Sequence, residues 1–218
     1  MTEVDPNEFI ITKKRKKYKF ALFANSPLCF ELDEWSERPV DVVELGAGTG
    51  LFSVELAARH PDQTFVAIDV KADRLQKGAQ AATERGLTNI SFVRARVEDQ
   101  LLGVISPQSV TSIWVTFPDP FPKKRAASRR MTHPHFLELY GQLLRPGGAL
   151  YLKHDNPAFF NWSLEQLVAA NWRIIELSFD LHEAELSDDY LIKTTYEIRW
   201  LSEGLTTNFV KAHAPSPQ

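Results

Sequence analysis

Short apolar runs along this chain alternate with stretches whose apolar residues recur at helical spacing. Val40-Asp41-Val42-Val43-Glu44-Leu45 is a compact apolar run that ends in glycines, and Leu51 to His60 then carries Leu51, Val54, Leu56, Ala57 and Ala58 at helical intervals. The pattern predicts strand, loop, helix. Thr64 to Asp69 reads as a second strand, Lys71 to Arg85 as an Ala-rich helix stopped by Gly86, and Ile90 to Ala95 as a third strand. Val110 to Phe117 follows as a fourth strand, Pro134 to Leu144 as a helix ended by Arg145-Pro146-Gly147-Gly148, and Ala149 to Lys153 as a fifth strand. Pro157 to Ala170 predicts a helix with proline in its first turn. Arg173 to Phe179 and Lys193 to Leu201 are expected to be β-rich, joined by an acidic loop.

Repeated βα units imply an α/β fold with a mostly parallel sheet, seven strands on this count, and helices on both faces. The expected organisation is a basic arm over residues 1–20, one domain over 21–208 and a flexible tail over 209–218. No stretch reaches the roughly 18 uninterrupted apolar residues of a spanning helix, and the first residues lack a cationic-then-apolar signal pattern. Membrane partnership is therefore not expected. Cys29 is the single cysteine, which excludes an intrachain disulfide and a cysteine-based zinc site and suits a reducing cytoplasm. His133, His135, His154 and His182 lack a helical pair spacing with a third ligand, so no metal is expected.

Net charge is −3, but the charges are unevenly distributed. Lys13, Lys14, Arg15, Lys16, Lys17 and Lys19 form one basic island, and Lys123, Lys124, Arg125, Arg129 and Arg130 form another with no acid among them. Asp180, Glu183, Glu185, Asp188 and Asp189 make a late acidic segment. Each basic run taken alone also suits an ordinary solvated face.

In open α/β sheets, ligands bind outside the carboxyl ends of the strands, and the unusual residues of this chain lie at such ends. Gly46-Ala47-Gly48-Thr49-Gly50 leaves the first strand, where glycines permit a tight turn and close approach of a ligand to the backbone. Asp69 ends the second strand, in position to take two ribose hydroxyls. A dinucleotide site would share these features, but its spacing is Gly-x-Gly-x-x-Gly, and a carboxylate such as Glu44 would repel a pyrophosphate. Glu44 instead suits a cationic ligand with an amino group, such as S-adenosylmethionine. After the fourth strand, Phe117-Pro118-Asp119-Pro120-Phe121-Pro122-Lys123-Lys124-Arg125 sets an acid between two prolines beside a block of cations.

The Glu44 to Gly50 loop, Asp69, the Pro118-Asp119-Pro120 block with its basic tail, Lys153-His154-Asp155-Asn156 and Thr194-Thr195-Tyr196-Glu197 together resemble the tRNA (guanine-N7-)-methyltransferase family over about residues 40 to 200. The resemblance implies a Rossmann-like class I methyltransferase, S-adenosylmethionine as cofactor, and tRNA as partner, methylated at N7 of a variable-loop guanosine. It also implies Asp119 as the active-site residue; Glu44, Gly46, Gly48, Asp69, Arg96, Val97, Glu98 and Asp119 at the cofactor; and Lys123, Arg125, Asp155, Thr194 and Glu197 at the substrate. The second basic island would bind phosphates, and the chain would act as a monomer or weak homodimer.

Two departures from the family pattern stand out. Arg96-Val97 replaces the usual Asp-Ala near the adenine, which leaves the backbone there, or Glu98 or Asp99, to accept the adenine amino protons. His154 replaces the usual Thr. Other readings are a small-molecule methyltransferase, a dinucleotide-dependent oxidoreductase and an RNA-binding module with a decayed donor site. The cation block after Asp119 disfavours the first and the glycine spacing disfavours the second.

Overall fold

The computed structural model describes residues 17–36 and 38–215. The expected basic arm lies outside the described residues except at its end, where Lys17–Ala24 forms helix α1. The chain divides into two compact units, one up to Ile105 and one from Ser106.

The first unit holds four parallel strands, β1 (Cys29–Glu31), β2 (Val42–Leu45), β3 (Phe65–Asp69) and β4 (Ile90–Arg94), in the order β1-β4-β3-β2. Every residue of β2 and β3 is buried, as expected for parallel strands covered on both faces. Helices α2 (Leu51–Arg59) and α3 (Ala72–Glu84) fill the connections, α3 burying Leu75, Ala79 and Ala82 on one face. A further short helix, α4 (Val97–Gln100), follows β4. Strand β1 was not expected: its three residues are too few to produce a period. Burial within it pushes the Cys29 thiol up to about 12, which keeps it protonated and unreactive.

The second unit carries β5 (Val110–Thr116), α5 (Pro134–Leu143), β6 (Leu144–His154), α6 (Pro157–Ala169), β7 (Arg173–Ser178), α7 (Thr195–Ser202) and β8 (Asn208–His213). Strands β5 and β6 are parallel, β8 runs antiparallel to β6, and β7 closes the edge antiparallel to β8.

Three expectations are corrected here. The described strands number eight rather than seven. Residues 208–213 are not a tail: Phe209, Val210 and Ala212 are buried and the strand hydrogen-bonds on both sides. Lys193 to Leu201 is mainly helix, not strand. Its alternating Tyr196-Glu197-Ile198-Arg199-Trp200 imitates a half-buried strand, but Thr194 and Glu197 form a reciprocal capping box that starts α7.

Candidate active site

In the first unit the glycine loop leaves β2 with Gly46, Gly48 and Gly50 all at positive φ. Two of them show what the loop needs. A Cβ at Gly50 would lie 2.7 Å from the buried Phe92 ring, so packing as well as backbone conformation demands glycine there. A Cβ at Gly48 would meet nothing within 4 Å, which leaves open space above the loop for a ligand.

The two acids flanking this loop are buried. Glu44 is 1% exposed and accepts a 2.6 Å hydrogen bond from the Ser53 hydroxyl on α2. Asp69 accepts from the backbone N–H of Gly48 at 2.9 Å and of Lys71 at 2.8 Å, one bond to each oxygen. Asp69 therefore fixes the loop, and each of its oxygens keeps a second lone pair for a ligand hydroxyl. Buried carboxylates and an open glycine cradle fit the amino group and ribose of S-adenosylmethionine.

At the end of β4, the Arg96 side chain turns to Asp99 at 2.7 Å in an exposed pair, and its N–H donates to the Gln100 side chain. Asp99 is thereby engaged. Val97 is buried, while Glu98 is exposed and has no hydrogen-bond partner among the described residues.

In the second unit the Phe117 to Pro122 segment leaves β5. Phe117 and Phe121, each followed by proline, take φ of 49° and 40°, a conformation that costs bulky residues on the order of 1–3 kcal/mol each. Side chains hold the loop against that strain. His154 bonds the Pro118 carbonyl at 2.9 Å, and Arg130 donates to the carbonyls of Pro120 and Phe121 at 3.1 Å each. The Arg130 guanidinium also stacks on Trp162 at 4.3 Å, and Arg129 lies over Phe121 at 4.3 Å. Asp119, at the centre, is exposed.

These contacts revise the expected phosphate binders. Arg130 is a brace of the loop, since its Nε and one terminal nitrogen donate to carbonyls. Lys123, Lys124 and Arg125 are exposed, and their side chains have no hydrogen-bond or salt-bridge partner among the described residues. They remain available to anions.

Asp155 follows β6 half-buried, 3.4 Å from the His154 ring. Thr194 and Glu197 were expected at the substrate, and here the structure corrects the sequence. Glu197 is fully buried, with one oxygen bonded to Lys153 Nζ at 2.6 Å and to the Thr194 N–H at 3.1 Å, and the other to His182 at 2.8 Å. Lys153, itself fully buried, also donates to the carbonyls of Tyr190 and Ile192. Glu197 cannot turn to a substrate without leaving a buried lysine uncompensated. Thr194 spends its hydroxyl on the α7 cap. Lys153, Arg130 and His154 all stand in the motifs read from the sequence, but their roles as internal supports were not visible there.

The described residues contain no group of three or more His, Cys, Asp or Glu that could hold a metal ion, and no helix long and apolar enough to cross a membrane.

The fold is that of the Rossmann-like class I methyltransferases. The crystal structure of the 16S rRNA methyltransferase KamB superposes with a TM-score of 0.61 at 17% identity, covering 84% of this chain and 90% of that one. A structure titled as an antibiotic-related methyltransferase gives 0.58 at 15% identity, over 96% of this chain and 97% of the other. A family model described as "Putative methyltransferase" matches residues 38–209. Among curated proteins, the tRNA (guanine-N(7)-)-methyltransferase of Cytophaga hutchinsonii is 35% identical over 81% of this chain and 80% of its own length. Those of Bacteroides thetaiotaomicron and Brevibacillus brevis are 34% and 35% identical, over 93% and 85% of this chain and 86% and 87% of their own. The chain belongs to the tRNA (guanine-N(7)-)-methyltransferase family.

Proposed function

We propose that this chain transfers the methyl group of S-adenosylmethionine to N7 of a guanosine in the tRNA variable loop. The observation that carries this reading is the second unit's braced loop. It presents one exposed carboxylate, Asp119, followed by Lys123, Lys124 and Arg125 with unengaged side chains. An acid for a base edge and cations for phosphates are what a nucleic-acid substrate requires.

Bound S-adenosylmethionine supplies an electrophilic sulfonium methyl. Guanine N7 has a lone pair and no proton, so the protein needs no general base; it must align the base and tolerate positive charge on the purine. Asp119 accepts from the guanine's Watson–Crick donors and offsets that charge. Glu44 takes the cofactor's amino group and Asp69 its ribose hydroxyls, with Gly46 and Gly48 allowing close approach. The Arg96 and Val97 backbone borders the adenine, and Glu98 accepts its amino protons in place of the family's Asp. Lys123 and Arg125 bind phosphates, and Asp155 contacts the substrate. Thr194 and Glu197, expected at the substrate, instead act through the α7 cap and the buried Lys153. We take the chain to act in the cytoplasm as a monomer or weak homodimer, which sedimentation at micromolar concentration tests.

Incubating bulk tRNA with labelled cofactor, then digesting and mapping the product, tests the function. The expected product is 7-methylguanosine at a variable-loop position. Label in another nucleoside, or none in tRNA, sinks the proposal.

A further inference from the structure

We propose that His154 is a positioning residue for the methyl transfer: its neutral imidazole holds the Pro118 carbonyl and so fixes the backbone that aims Asp119. This rests on the reading of Asp119 as the active-site acid.

The tautomer follows from the ring's two partners. Nδ1 accepts the backbone N–H of Asn156 at 2.8 Å, so Nδ1 carries no proton. The single proton of the neutral ring therefore sits on Nε2, which donates to the Pro118 carbonyl at 2.9 Å. The ring is 3% exposed and lies 4.5 Å from Phe159 and 6.2 Å from Phe117, centroid to centroid. Its surroundings are anchored in turn. The His154 carbonyl accepts from the Asn208 side chain on β8, and the Asn156 side chain caps α6 at the Phe159 N–H.

The Pro118 carbonyl belongs to the peptide that joins it to Asp119. With Pro118 and Pro120 limiting φ on either side, and Arg130 on the carbonyls of Pro120 and Phe121, the His154 bond completes the bracing of this loop. The strained φ at Phe117 gives the loop a reason to move when that bond is lost.

The arrangement is also acid-sensitive. Burial pushes the His154 ring below its ordinary 6.5, and this outweighs the Pro118 carbonyl, Asp155 and Asp119, which all pull it upward. From α6 the ring meets Phe159, and from β8 the Asn208 side chain bonds the His154 backbone carbonyl, neither of them charged. A second proton on Nδ1 would face the Asn156 N–H, donor against donor, with the Asp155 carboxylate 3.4 Å away as the alternative acceptor. Protonation would thus break the Asn156 contact and pull the ring toward Asp155, shifting the Nε2 end that holds Pro118. Because the folded-state pKa is depressed, the neutral ring's contribution is present above the unfolded value and is lost as pH falls through the folded one.

The test measures kcat and the KM for tRNA at saturating cofactor from about pH 7.5 to 5.5, with His154→Gln and His154→Ala alongside the wild type. The wild type should lose kcat toward the acid end of that range, by less than about tenfold because the ring lies below its ordinary 6.5, with its KM nearly unchanged. His154→Gln, whose amide can donate to Pro118 but does not titrate, should stay within about threefold of wild type at pH 7.5 and show a flat profile. His154→Ala should lose at least about tenfold in kcat at pH 7.5 with unchanged tRNA binding. A shared acid limb in wild type and Gln variant, or full kcat in the Ala variant, would overturn the proposal. Nitrogen NMR of the wild-type ring provides a check independent of the variants, since a proton on Nδ1 at neutral pH would also overturn it. A wild type that leaves tRNA unmethylated at neutral pH overturns the function itself, an outcome distinct from those that overturn the positioning role alone.

Discussion

Glu44 and Asp69 in the first unit are buried carboxylates whose own oxygens are hydrogen-bonded, whereas Asp119 in the second is an exposed carboxylate whose backbone is held instead. The first arrangement fixes where the charge lies by satisfying it in the ground state. The second holds the Pro118 carbonyl before the acid and the Pro120 carbonyl after it and leaves the carboxylate exposed, which in the proposed function serves a base edge. Glycine supplies the first loop's shape by permissiveness; proline, His154 and Arg130 supply the second's by restraint.

Asp119→Ala breaks the comparison most severely. Methyl transfer should fall by about a hundredfold to a thousandfold, while tRNA and cofactor affinities shift by less than about twofold. Single-turnover kinetics beside filter binding distinguish this from an acid that mainly binds, which would lose affinity in parallel.

The glycine loop offers the next contrast. Gly50→Ala drives a Cβ toward Phe92 and should lower unfolding free energy by roughly 2 kcal/mol in urea titrations. Gly48→Ala meets no protein atom, so its main effect should be about tenfold weaker cofactor binding by calorimetry, beside a smaller loss of stability. If the two variants behave alike, the open space above Gly48 is not the cofactor's.

Replacing Lys123, Lys124 and Arg125 with Ala should weaken tRNA binding by about tenfold and reduce the slope of log K against log salt by about two to three. Cofactor affinity should not change. The smallest effect is expected at Arg96→Ala: its side chain pairs with Asp99 in solvent, so cofactor affinity should move by less than about twofold. A large loss there would return to Arg96 the adenine role assigned to Glu98.

The βα alternation from Val40 to Ala170 was legible because buried parallel strands and their helices write strong periods into the sequence. Arg173 to Phe179 was legible as well, and it forms β7; beyond it the signal fails for physical reasons. Strand β8 follows closely on α7, whose polar-apolar alternation imitates a strand; the helix's true nature lies in the Thr194 to Glu197 cap, which periodicity does not weigh. Residue type alone singled out Glu44, Asp69, Asp119 and the cation block as candidates. The site was illegible where one charged side chain serves another part of the protein. Nothing in the sequence distinguishes Arg130, turned onto carbonyls, from Arg125, turned to solvent.

The buried Lys153 to Glu197 pair carries a consequence for making hybrids of this enzyme with its relatives. Lys153 sits on β6 while Glu197, His182 and the Tyr190 and Ile192 carbonyls come from residues 182–197. A crossover point placed between residues 153 and 182 would join two half-networks of different parentage. Such a chimera should fold only when both parents carry a basic residue and an acid at these two places, which makes this one contact a compatibility rule for recombination.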